Sequence, residues 1–297
     1  MQAMFTVEFQ AMASPCQVLL AAAGEAEARA LAEPAIAEVR RIETKYSRYR
    51  ADSVVSAING AAGGAASPLD PETLALLQYA GQLYQLSGGL FDITTGVLRK
   101  AWNFKAPRVP TADELAPLLA LTGWSRVDLS EDGVRLPQAG MELDFGGFGK
   151  EYAADRAAAI LQAQGVRCGY VNLGGDMRVL GPQQDGSPWS IGIQDPRRCS
   201  RRWTPWCGLR GALATSGDYE RYFELDGKRY CHILDPATGH PVTAWRSVSV
   251  LAPLTVAAGA CATIAMLKGA EAPAFLAASG NAWLAQDAAG AMHGNGV

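Results

Sequence analysis

Alternation of apolar and polar positions from Phe5 to Ala21 predicts extended chain, either a strand pair or one long strand. The period then changes. Between Glu25 and Tyr46, the residues Leu31, Ala35, Val39, Ile42 and Tyr46 fall at helical spacing, which predicts an amphipathic helix. Asp70-Pro71 supplies a helix N-cap followed by proline at the first helical position, and the helix it opens carries Leu74, Leu77 and Leu83 up to Gly88-Gly89. A further helix is predicted over Glu151–Gln164, closed by Gly165, and a short strand over Val166–Val171. Tyr219–Leu225 and Lys228–Leu234 flank Asp226-Gly227, a dipeptide suited to a two-residue hairpin turn because both positions need positive φ. A last strand, Val248–Leu251, leads into an alanine-rich helix, Val256–Lys268, capped by Gly269.

The stretch 106–137 is punctuated by polar and turn residues and reads as a connector between two lobes. Helices and strands are mixed without βαβ repetition, so the fold class is α+β: mixed sheets flanked by helices in two intimate lobes, one unit over residues 1–297. At 297 residues the chain is long enough to bury a large core. A net charge of −3 offers no basic face for nucleic acid. No run of eighteen apolar residues suggests a transmembrane segment. The N-terminus lacks a basic segment followed by an apolar one, so a cytoplasmic location is expected, although a periplasmic protein with its signal peptide trimmed would begin the same way. The six cysteines have no zinc-type spacing and read as reduced thiols or small core fillers.

Five segments are richer in Gly, Asp, Thr and Asn than packing requires: residues 88–96, 143–150, 172–176, 215–218 and 232–239. Clustered glycines let a backbone approach a ligand and aim N–H groups at phosphate oxygens. The segment Gly146–Lys150 also opens a helix, whose positive end favours anions. None fits a P-loop or a Rossmann fingerprint. The residues alone therefore point to an anionic, phosphorylated ligand in an oxygen-rich site.

Taken in order, these segments resemble the ApbE family, the FAD:protein FMN transferases. The resemblance runs through Met12-Ala-Ser14, Ser47-Arg-Tyr49 with Ser53 and Asn59, and Phe91-Asp-Ile-Thr-Thr-Gly96. It continues through Asp144–Lys150 with Tyr152 and Asp155, Val171–Asp176, Ala214–Tyr219 and His232–Gly239. It implies an enzyme that binds FAD in a cleft between the lobes and transfers its FMN half, by a phosphoester bond, to a Thr or Ser hydroxyl of an acceptor flavoprotein subunit of a redox complex, releasing AMP. Two other readings remain open: a non-catalytic FAD carrier, and a pyrophosphatase that gives FMN and AMP.

The resemblance places FAD contacts on Met12, Tyr49, Leu90, Phe91, Asp92, Asp144, Lys150, Ile233 and Leu234. It places proton transfer on His232 with Asp235. Of the other histidines, His240 reads as a loop residue and His293 as part of a polar tail. A Mg²⁺ site is implied at Gly147, Gly149, Gly259, Ala262 and Thr263. There the pattern departs. The family's Ala-Asp-x-x-Ala-Thr reads Ala258-Gly-Ala-Cys-Ala-Thr263, so its aspartate is Gly259. The expectation is a site short of one carboxylate and weak in metal affinity, which Gly259→Asp would repair while modestly stabilising the helix.

Overall fold

The alternating N-terminal segment folds back on itself as β1 (Ala3–Ala11) and β2 (Ser14–Ala22), paired antiparallel from Ala3↔Ala22 to Ala11↔Ser14. The two-residue turn, Met12-Ala13, has φ of 52° and 57°, the left-handed pair that a twisted hairpin demands. Neither residue is glycine, so each position costs on the order of 1 kcal/mol. Glu43 helps to hold the turn, its Oε1 accepting from Met12 N at 2.7 Å. The structure, a computed structural model, describes residues 3–209 and 211–295, with side chains outside 198–209.

Helix α1 (Glu25–Tyr46) matches its predicted bounds and buries a stripe from Ala28 through Ala35, Val39 and Ile42 to Tyr46. A short α2 (Val54–Gly60) follows, with Ser53 Oγ accepting from Ser56 N at 3.0 Å as its cap. In α3 (Pro71–Ser87) the Asp70 carboxylate caps Glu72 N and Thr73 N, both at 3.1 Å, and Gly88 ends the helix at φ 72°. The stretch 106–137 is more structured than a connector. It holds α4 (Ala112–Leu119), opened by a Thr111/Glu114 capping box, and a ribbon of β3 (Asp128–Ser130) and β4 (Gly133–Arg135).

Helix α5 (Gly149–Ala163) leads to β5 (Gly169–Leu173), which starts three residues after the predicted strand, and to β6 (Asp176–Gly181). A hairpin of β7 (Trp189–Asp195) and β8 (Arg198–Leu209) precedes β9 (Ala212–Gly217). Strands β10 (Tyr222–Leu225) and β11 (Lys228–Cys231) turn at Asp226-Gly227, with φ of 51° and 73°. Strand β11 stops at Cys231, so His232 follows the return strand and does not lie within it. Then come β12 (Trp245–Ala252), α6 (Thr255–Lys268), α7 (Ala272–Ala278), β13 (Ala282–Asp287) and β14 (Met292–Gly294).

One eight-stranded sheet, in the order β1-β2-β5-β6-β9-β12-β13-β14, joins the N-terminal and C-terminal halves, and each of its pairings is antiparallel. With helices against it, this is the α+β arrangement expected. The larger core, including Leu20, Val39, Leu77, Phe148 and Leu161, packs α1, α3 and α5 on the β2–β5 side. A second core, including Val248, Val250, Met266 and Leu276, packs α6 and α7 on the β9–β12–β13 side. Thr255–Ala278 is long and apolar enough to cross a membrane by length and composition, which a count of consecutive apolar residues does not reveal. Here it is α6 and α7, broken by a turn at Gly269–Glu271, with its buried face against the second core. Cys16, Cys168, Cys231 and Cys261 are free thiols, as expected, while Cys199 and Cys207 lie outside the residues with described side chains.

Candidate active site

The helix α5 begins where β5, β6 and β9 converge, and its first turn carries Lys150 and Glu151. Lys150 Nζ lies 2.8 Å from Asp176 Oδ2 and 3.5 Å from Gly174 O. Burial alone would lower the Lys150 pKa, but Asp176 overrides it and raises the value, so the ammonium persists. Asp176 opens β6, is 3% exposed, and accepts from Thr215 N on β9 at 3.2 Å. Glycine is required beside this pair. Gly174 has φ 59°, and a Cβ there would lie 2.8 Å from Ser14 Cβ and 3.5 Å from Lys150 Nζ. The Met12-Ala-Ser14 turn and the 172–176 segment thus meet over the lysine, as Gly174 N donating to Pro15 O at 3.1 Å also shows.

Glu151 enters the same cluster and was not singled out from the sequence. It is 8% exposed, its Oε2 is buried without a hydrogen-bond partner, and burial, then the Asp176 charge, raises its pKa. It faces α6 at Gly259, where a Cβ would lie 2.7 Å from Glu151 Cγ and 2.8 Å from Oε1. Four residues on, Thr263 Oγ1 and Ser216 Oγ are 2.8 Å apart. The N-terminus of α6 is tied to α5 by Asp155, whose carboxylate accepts from Thr255 N and Val256 N, each at 2.9 Å. The expectation of a site short of a carboxylate through Gly259 therefore meets a different arrangement: the space is filled by one from the neighbouring helix.

Of the other predicted metal residues, Ala262 is fully buried and can offer only its backbone. Gly147 lies against Phe91, where a Cβ would be 2.9 Å from Cζ, and Gly149 has ordinary room for a methyl at 3.6 Å from Phe145 Cβ. Among the described residues no group of three His, Cys, Asp or Glu side chains is placed to hold a metal. The acidic cluster has two, Glu151 and Asp176.

A second group gathers ahead of α5. Asp144 Oδ1 accepts from Gly146 N at 2.9 Å, while its Oδ2 forms an ion pair with Arg48. Arg48 also donates to Tyr49 Oη at 2.8 Å and lies over its ring, 4.9 Å from the centroid. Tyr49 is 75% exposed, a free aromatic face. Asn59 fixes the segment before Asp144 through paired bonds to Leu143, 3.0 Å to its O and 2.7 Å from its N. A Cβ on Gly96 would lie 2.6 Å from Asp144 Cβ, which brings the 88–96 segment to the same place.

Asp92 is different. One carboxylate oxygen accepts from Thr94 N at 2.8 Å and Thr94 Oγ1 at 2.6 Å, and the other from Trp124 N at 2.9 Å. Its side chain organises the loop, and the run from Phe91 to Thr94 is buried beside half-buried Leu90.

The 232–239 turn forms the third group. Asp235 Oδ1 accepts from Ala237 N at 2.8 Å, shaping the turn, and Trp102 Nε1 donates to Gly239 O at 2.7 Å beneath it. Ile233 packs in the second core and Leu234 against the Trp102 cluster, so their side chains anchor the loop. His232 Nδ1 is buried without a partner. Burial first, then the positive charges of Arg221 and Lys150, pull its pKa down to about 4, leaving a neutral imidazole at pH 7. His240 is exposed. His293 is not in a loose tail: it lies on β14, with Nε2 2.8 Å from Asp287 Oδ2.

The arrangement thus offers a cation, two buried carboxylates, hydroxyls, a helix N-terminus and an uncharged imidazole, which suits phosphate-ester chemistry. The sequence model of the ApbE family matches residues 5–284. A protein of Treponema pallidum named FAD:protein FMN transferase is 35% identical over 265 residues, 83% of this chain and 73% of its own length. A protein of the same name from Vibrio cholerae is 32% identical, covering 80% of this chain and 77% of its own. The solved structure of the ApbE protein from Thermotoga maritima superposes with a TM-score of 0.90 at 32% identity, covering 99% of this chain and 97% of that one. The flavin transferase ApbE from Vibrio cholerae gives 0.88 at 27% identity, with 99% and 98% covered. This chain belongs to the ApbE family.

Proposed function

We propose that this protein is an FAD:protein FMN transferase, acting on a threonine or serine of an acceptor flavoprotein subunit of a redox complex. The acceptor hydroxyl attacks the FMN phosphorus, an O–P bond forms, the pyrophosphate bond breaks and AMP leaves. The observation that carries this reading is the Lys150–Asp176 pair at the start of α5, beside a histidine held neutral. Lys150 and the helix N-terminus attract the pyrophosphate. His232, in its uncharged form, takes the proton of the attacking hydroxyl. Tyr49 stacks on a flat ring of the dinucleotide, and Asp144 with the glycine turns orients the rest.

Mg²⁺ is part of the proposal. The donors in this region are oxygens, and a buried carboxylate oxygen of Glu151 stands without a partner, both of which suit a hard cation. Thr263 Oγ1 and the backbone near Gly147, Gly149 and Ala262 are further oxygen sources. A dication held there would neutralise charge on phosphate oxygens.

The test is incubation of the protein with FAD and Mg²⁺, with and without a flavoprotein acceptor. The reading requires covalent flavin on the acceptor and one AMP released for each flavin attached. AMP and FMN formed equally without acceptor would make the protein a pyrophosphatase. FAD binding with no AMP would make it a carrier.

A further inference from the structure

Helix α6 has a gap in its inward face at Gly259, and α5 fills it. The Glu151 side chain occupies the volume that any side chain at 259 would need, with Cγ 2.7 Å and Oε1 2.8 Å from where a Cβ would stand. A carboxylate is a costly filler for a buried gap, since taking an unpaired charge out of water is penalised by several kcal/mol. An alanine at 259 would close the same space without that cost. Yet Glu151 is 8% exposed, and its Oε2 is sealed from solvent with no hydrogen-bond donor.

The surroundings show what the orphaned oxygen faces. Asp176 presses its own charge on Glu151, and Lys150, 2.8 Å from Asp176, offsets it in part. The hydroxyls of Thr263 and Ser216, 2.8 Å apart, stand on the same side of α6, one turn after Gly259. Two carboxylates and two hydroxyls beside Lys150 make this an oxygen-rich cluster, in which Glu151 holds a proton that a cation can replace. A hard divalent cation takes few protein carboxylates and completes its shell with water or phosphate oxygens.

We propose that Glu151 is a metal ligand of this protein, supplying from α5 the carboxylate that the α6 pattern lacks at Gly259, with Asp176 and the Thr263 and Ser216 hydroxyls around the same cation. The substitution is an exchange between helices: a carboxylate at 151 with glycine at 259, in place of one at 259. The proposal rests on the flavin-transfer reading only for the identity of the phosphate ligand that completes the site.

The experiment titrates Mn²⁺ into the full chain, followed by the electron paramagnetic resonance of free Mn²⁺, with and without FAD. FAD affinity is measured separately in EDTA by flavin fluorescence. Saturable Mn²⁺ binding is expected for the native protein, weakened about tenfold or more in Glu151→Gln, an isosteric change, with FAD affinity in EDTA kept within a few fold. The double variant Glu151→Gly with Gly259→Asp is expected to recover most of the Mn²⁺ affinity. Native protein without saturable Mn²⁺ binding overturns the proposal, as does Glu151→Gln that binds like the native chain. A double variant with native circular dichroism but no recovery also overturns it, and if that variant does not fold, Glu151→Gln decides alone. Failure to bind FAD in EDTA would sink the flavin-transfer reading instead, while the Mn²⁺ titration without FAD would still judge Glu151.

Discussion

Lys150 and Asp176 meet at 2.8 Å where the first turn of α5 crosses the start of β6, and the Asp176 side chain is only 4% exposed. Removing the lysine leaves Asp176 and Glu151 facing each other without a cation. Lys150→Met should therefore destabilise by about 2–3 kcal/mol, below the range for fully buried pairs because the lysine is 29% exposed. In the native protein burial and the Asp176 charge already raise the Glu151 pKa to about 8, so the pair holds a proton below that pH which the unfolded chain releases near pH 4. Losing Lys150 raises that pKa further, so the two folded proteins differ in bound protons above about pH 8, and the loss should grow there as pH rises. Urea midpoints at about pH 7 and pH 9 check this, and equal losses at both would count against the coupling.

His232 carries the opposite sign. Its folded pKa lies at about 4, against an ordinary value of 6.5, so between those values the unfolded chain binds the extra proton. Stability contributed by the neutral form is complete above pH 6.5 and lost as pH falls toward 4. His232→Gln should flatten that part of the stability profile and abolish transfer while leaving FAD affinity within a few fold. Transfer by the native protein should show no loss through pH 6–7 from this group. A native stability profile already flat between pH 4.5 and 6.5 would refute the assignment.

Tyr49 is exposed, and its hydroxyl accepts from Arg48. Tyr49→Ala should change stability by no more than about 0.5 kcal/mol. It should weaken FAD binding by about 1–3 kcal/mol if the ring stacks on flavin or adenine. Titration calorimetry beside thermal melting separates the two effects.

Asp92 should behave in reverse. Its carboxylate serves three donors, two on Thr94 and one on Trp124, all within the fold. Asp92→Ala strands them and should cost about 2–4 kcal/mol. Under conditions where the variant stays folded, its FAD affinity should be close to native, because the side chain is committed to the loop.

The contrast between Tyr49 and Asp92 shows how far the sequence could be read. Where local chemistry decides, it was legible: the Asp70-Pro71 start of α3, the Asp226-Gly227 hairpin, the bounds of α1 and the end of α6 at Gly269 all follow from capping, turn geometry or period. The Thr111/Glu114 capping box is an equally local signal, and it opens α4 within the stretch that punctuation alone reads as a connector. Strands β6, β9 and β13 carry little alternation because both faces of the sheet are covered there, as the burial of Asp176–Gly181 and Ala212–Gly217 shows. Site segments could be gathered from composition and resemblance. Whether a given aspartate faces a ligand or a neighbouring loop depends on partners far along the chain, as Asp92 depends on Trp124 and Asp176 on Lys150 and Thr215. Glu151 was invisible for the same reason, since only the packing of α5 on α6 reveals that it faces Gly259.

That packing reverses the expected effect of restoring an acidic residue to α6. On propensity alone, replacing a glycine inside a helix stabilises it by a few tenths of a kcal/mol for aspartate and up to about 1 kcal/mol for alanine. Here any Cβ at 259 would stand 2.7 Å from Glu151 Cγ, too close unless Glu151 moves, and Glu151 is buried against Asp176. Overpacking of this size costs about 1–3 kcal/mol, which outweighs the propensity gain. Aspartate adds a third acidic group to the cluster, so Gly259→Asp alone should be less stable than Gly259→Ala, and both less stable than native. Truncating Glu151 to glycine removes the clash and one charge together. In that background Gly259→Asp should cost far less, giving a coupling energy of about 1–3 kcal/mol in a double-mutant cycle. Urea denaturation of the four proteins in EDTA measures it without metal or flavin. Additive effects of the two changes would mean that Glu151 and position 259 do not compete for the same space.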